Sequence, residues 1–156
     1  MQISARTTFD ADPGATYDLL TDKAFLEAVC VAGHSISYNV VIDGSTTTTT
    51  QELSAPDLAK NFVGATITVV QVIDWGGPAA DGSRVGQLSM TIPKQPVRMS
   101  GTVTLTPAGA TTVADLTGEL KVNVPLLGKK LEHASEPAIL AGFRKQEVVA
   151  KDWLPR

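Results

Sequence analysis

The chain has 156 residues, 43% hydrophobic and 19% charged, with a formal net charge of −3. That length suits one domain with a full core (1–156). The composition excludes disordered and fibrous classes, and the acidic balance argues against nonspecific nucleic-acid binding, which needs clustered Lys and Arg.

Cys30 is the only cysteine, so no intrachain disulfide is available, and the first residues lack the basic, apolar and cleavage regions of a signal peptide. A cytoplasmic protein is expected. No apolar run reaches the roughly 20 residues of a membrane span.

Gln2 to Phe9 alternates with the period of a half-buried strand. Asp12-Pro13 then supplies an N-cap acid and a first-turn proline, and Thr21-Asp22 caps a second helix, Lys23 to Val31, whose end is marked by Gly33. Strand periodicity returns at Ser35 and runs to Ile42, where Asp43-Gly44 favours a tight hairpin. The threonine run Thr46 to Thr50 suits a solvated or edge strand because threonine is β-branched. Ala55 to Gly64 reads as a loop with one helical turn.

Four further strands follow, Thr66 to Trp75, Arg84 to Ile92, Val97 to Leu105 and Thr111 to Val124, with spacing short enough for an antiparallel meander. The chain closes on one long amphipathic helix within Val124 to Leu154. Leu127, Leu131, Ala134, Ala138, Ile139, Gly142, Phe143, Val149, Ala150 and Trp153 share one broad arc on a wheel of 100° per residue, with His133 and Glu136 among the charged residues opposite. About 28 residues at 1.5 Å each span roughly 42 Å, enough to cross a whole sheet. One strand, two short helices, six strands and a long helix make an α+β order.

The segment FDADPGATYDLLTDKAFLEAVC, from Phe9 to Cys30, resembles the opening of the START-domain, pollen-allergen and polyketide-cyclase superfamily. The closing VPLLGKKLEHASEPAILAGFRKQEVVAKDWL is similar to the C-terminal helix of an uncharacterised bacterial branch of it. The resemblance covers essentially the whole chain and implies a helix-grip fold. In that fold a curved antiparallel sheet of about seven strands wraps the last helix, and the space between holds apolar molecules. The small residues Ala134, Ala138, Ala141 and Gly142, with a bend at Pro137, are expected to leave room for such a cavity.

Residues that would line it are Ile139, Phe143, Gly142 and Ala138 from the helix, Met90 and Met99 from neighbouring strands, and Trp75 at a strand end. Arg84 is a candidate for its mouth, and Tyr38 is a further candidate for ligand contact. Gln146 lies inside the apolar arc and can offer a donor and an acceptor to a ligand. No catalytic triad, phosphate loop or metal-ligand spacing is present, so no catalytic residue, cofactor or metal is assigned. His133 reads as solvated, His34 as a loop residue and Cys30 as a buried small hydrophobe.

The expected function is noncatalytic binding or carrying of a small apolar or amphipathic ligand such as a lipid, quinone or polyketide-like compound. One alternative is a cyclase or hydrolase using Gln146, His34, Arg84 or Tyr38. Another is a protein-interaction module with a filled core. Homo-oligomerisation is left open.

Overall fold

In a computed structural model describing residues 1–154, the order is β1 (Gln2–Phe9), α1 (Pro13–Leu20), α2 (Lys23–Ala32), β2 (Ser37–Asp43), β3 (Thr46–Ser54), a 3-10 turn (Asp57–Ala59) with α3 (Lys60–Val63), β4 (Thr66–Trp75), β5 (Arg84–Thr91), β6 (Val97–Ala108), β7 (Thr111–Val122) and α4 (Gly128–Trp153). All strand pairs are antiparallel, in one open sheet ordered β1-β7-β6-β5-β4-β3-β2. This α+β arrangement of a seven-stranded antiparallel sheet and a long C-terminal helix is the one the resemblance implied.

Local chemistry sets the helix starts. The Asp12 carboxylate accepts from Ala15 N–H at 2.7 Å with Pro13 at the first helical position, and Asp22 accepts from Ala24 N–H at 3.3 Å. At the end of α2 the left-handed residue is His34, φ 62°, one position past Gly33.

One face of the sheet carries the core. Ile3, Phe9, Met99, Val103, Leu105, Leu116 and Leu120 are buried there with Phe25 and Leu26 of α2, while Arg98 and Glu119 of the same strands are exposed. On the outer face Arg6 pairs with Asp115, directly opposite it in register, at 2.8 Å.

β3 differs from its sequence reading. It is paired on both sides and is not an edge strand, and Thr47 and Thr49 are buried, 3% and 8% exposed, on the core face. The hairpin explains this, because pairing Ile42 with Thr47 and Val40 with Thr49 hands the inward parity of β2 to alternate threonines.

The sheet and α2 converge on α4, which packs chiefly against β1, α2 and β7. Its buried residues are Leu131, Glu132, Gln146 and Ala150, with Ile139, Leu140, Phe143 and Val149 packed partly against the core. Ala138, Ala141 and Gly142 are exposed, so these small residues lie on the outer side of the helix and open no interior space; Trp153 is 42% exposed although its ring meets Phe25 edge-on at 5.8 Å.

Candidate functional site

Between the sheet and the second half of α4 lies an enclosed space lined by Leu20, Leu26, Thr47, Thr49, Gln71, Ile73, Trp75, Val103, Phe143 and Gln146. Its volume is about 10 Å³, reckoned as room for the centre of a water molecule. That is the threshold for holding one water. This space is therefore too small for the ligand expected from the sequence.

Strand register arranges the lining. One inward row runs Val40–Thr49–Gln71–Met90–Met99–Leu120 across six strands. The row changes character along its length, hydrogen-bonding at β3 and β4 and apolar from β5 to β7. A second row runs Ile42–Thr47–Ile73–Leu88. Gln146 reaches the site from α4 and is 9% exposed, and its side-chain amide has no hydrogen-bond partner. Trp75, 4% exposed, has a buried indole N–H that is likewise unpartnered. Native interiors rarely leave a buried group such as this N–H unpaired, because it costs about 1–3 kcal/mol of desolvation.

Trp75 owes its position to Gly86, opposite it on β5. A Cβ at Gly86 would come within 2.9 Å of the Trp75 ring and 2.8 Å of Ile73. Only glycine lets the indole lie flat on the neighbouring strand. Trp75 also meets Tyr17 of α1 edge-on at 6.0 Å, and Arg84 lies over that tyrosine ring at 3.7 Å.

Of the residues expected at the site, Trp75, Phe143 and Gln146 line the enclosed space. Ile139 and Met90 pack partly buried against the core and Met99 is 1% exposed within it, adjoining the lining through the inward row. Arg84 caps the sheet end at Tyr17 and Gly76. Tyr38 shares inward parity with Val40 but is 40% exposed at the sheet edge, and Ala138 and Gly142 face outward. Thr47, Thr49 and Gln71 were missed, although the hairpin register would have assigned the two threonines.

His34 and His133 are exposed. The buried Cys30 thiol is pushed up to about 11, chiefly by desolvation, and is inert as a nucleophile at neutral pH. Among the described residues no helix is long and apolar enough to cross a membrane. A larger open groove outside, about 350 Å³ between the end of β1 and the last turns of α4, has the Glu147 carboxylate already accepting from Thr8 N–H at 3.1 Å.

Comparison with known proteins agrees with this architecture. A family model described as "Protein of unknown function (DUF2505)" matches residues 4–154. No curated protein matches the sequence. Among solved structures, TTHA0849 from Thermus thermophilus is similar with a TM-score of 0.70 and 17% identity, over 99% of this chain and 100% of that one. The ZhuI aromatase/cyclase from Streptomyces sp. R1128 gives 0.64 and 15%, over 97% and 93%. A STAR-related lipid transfer protein from Xanthomonas axonopodis gives 0.64 and 12%, over 96% and 83%. The shared feature is the helix-grip fold, and the family model assigns the chain to DUF2505.

Proposed function

The chain belongs to that family of unknown function, and we propose on its own geometry that it binds a small amphipathic molecule without transforming it, between α4 and the inner face of the sheet. The observation that carries this is the buried, unpartnered indole N–H of Trp75, a residue that lines a space the size of one water, together with Gln146, which lines the same space and makes no hydrogen bond within the protein. A ligand hydroxyl there would accept from an N–H and donate to the Gln146 amide oxygen, while its apolar body displaces side chains along the methionine row. Met90 and Met99 suit that displacement, because unbranched thioethers repack at low cost. Burying several hundred Å² of ligand at about 25 cal/mol per Å² gives roughly 5 to 10 kcal/mol before association costs, enough for micromolar binding. The named lipid transfer protein and aromatase/cyclase of like fold are consistent with enclosure of apolar molecules.

A cyclase or hydrolase would need several of Gln146, His34, Arg84 and Tyr38 to converge, and only Gln146 lines the enclosed space. One observation favours a different reading, an interaction module: the interior is nearly filled. A purely structural interior, however, gains nothing from Gln146, whose amide a leucine would replace without leaving a polar group unpaired.

NMR titration with 1-octanol tests the proposal. Shifts confined to Trp75, Val103, Phe143 and their neighbours, and affinity weakened about tenfold in Gln146→Leu, are expected. No saturable shift at these residues, or shifts confined to the outer surface, would overturn it in favour of the interaction module.

A further inference from the structure

Arg84, Tyr17 and Trp75 form a cluster at the end of the inner face where β4 passes into β5. Arg84 lies opposite Leu105 in register, so its side chain leaves the sheet on the core side. Its Cζ lies 3.7 Å from the Tyr17 ring centroid, and Nη1 donates to Gly76 O at 3.0 Å. These contacts hold the guanidinium without neutralising it, and among the described residues no carboxylate forms an ion pair with Arg84. Its Nε is buried and has no hydrogen-bond partner. The indole Nε1 of Trp75, whose ring meets the same tyrosine edge-on at 6.0 Å, is the other buried N–H in that condition.

Both orphan groups are donors only, so what completes the cluster is an acceptor. The charge of Arg84 makes an anion the better match. The geometry of the required anion can be read elsewhere in this chain. Arg6 grips Asp115 through Nε at 2.8 Å and Nη2 at 3.4 Å, the two-donor edge that fits a planar carboxylate. In Arg84 the Nη1 side is engaged by Gly76, and the equivalent Nε–Nη2 edge carries no bond.

We propose that the Tyr17–Trp75–Arg84 cluster recognises a carboxylate on the ligand, so that the molecule bound is an apolar acid. This rests on the binding function above and specifies the ligand class. The apolar body would extend from Trp75, which also lines the enclosed space, toward Val103 and Phe143. The acid group would stay at the sheet end, where the partly exposed Arg84 is not fully desolvated and the anion need not be stripped of all its water.

The test compares octanoate with 1-octanol at neutral pH, equal in chain length and differing in the head group, on a Trp153→Phe background that leaves Trp75 as the single indole. Octanoate should bind about tenfold more tightly and shift the Trp75 indole N–H resonance downfield. Arg84→Gln should remove the preference, bringing octanoate down to the affinity of octanol in that variant, and Arg84→Lys, which keeps the charge but loses the two-donor edge, should retain only part of it. Equal affinity for the two probes, or an undiminished preference in folded Arg84→Gln, overturns the acid assignment and leaves binding itself intact. Inorganic phosphate producing the same indole shift would make this a free-anion site and overturn a ligand-borne carboxylate. Binding of neither probe would overturn the assignment and the binding reading together.

Discussion

Gln146 is the residue at which stability and function part company. The residue is 9% exposed and its amide makes no hydrogen bond within the protein, so its partial loss of hydration carries a cost that no protein partner returns. Gln146→Leu removes that cost at similar volume, and urea denaturation should place the variant within about 1 kcal/mol of the parent or above it. A loss of several kcal/mol would mean that the amide has a structural partner in solution. Cys30 makes the opposite case, a chemical group silenced by packing. Its thiol is 2% exposed and raised to about 11 by burial, so at pH 8 labelling by a disulfide reagent should run more than a hundredfold slower than for a free thiol. Fast labelling of the native protein would contradict its burial. Gln146 was legible in the sequence because a polar residue interrupted an apolar arc. Thr47 and Thr49 were not, because a threonine's hydroxyl and β-branch fit an exposed strand and a buried one equally well, and only pairing decides between them.

The long helix was legible as an element and misread as a surface. Ile139, Phe143, Gln146 and Ala150 fall within about 60° of one another on the helical wheel, and that stripe faces the core. Ala138 and Gly142 lie roughly 70 to 110° from its centre. Counting alanine and glycine as apolar widened the arc and drew its centre toward them, although small residues are indifferent to exposure. Glu132, assigned no role from sequence, anchors the start of the helix. Its carboxylate accepts from Val122 N–H and from the Met1 ammonium, each at 3.2 Å. Desolvation, the largest single influence, pushes this carboxyl up, but the Val122 N–H, the Met1 ammonium and Lys121 together hold it below its ordinary 4.5. A depressed carboxyl contributes stability that is complete above the unfolded value and is lost as pH falls through the folded one. Acid titration of the fold should therefore show a destabilising step below pH 4.5 that Glu132→Gln removes, the variant being less stable at neutral pH. A step unchanged in Glu132→Gln would assign it to other carboxylates.

Across the whole molecule, strand order and helix order followed from periodicity and turn residues, while the interior surface followed from register, which no single strand encodes. The inward row from Thr49 through Gln71 to Met90 and Met99 is polar at one end and apolar at the other only because four strands align as they do. The same alignment sets Trp75 over Gly86 and leaves its N–H without an acceptor. The helix-grip fold leaves a space of about 10 Å³ beside Trp75 and Gln146, and the proposed binding requires Phe143 and the methionines to yield. Native mass spectrometry of the protein purified from its own host, repeated after organic extraction, tests this most directly. A bound small-molecule mass that extraction removes, from an apolar acid, is the predicted result; the mass of the bare chain alone in both spectra, together with no uptake of octanoate or octanol, would contradict it.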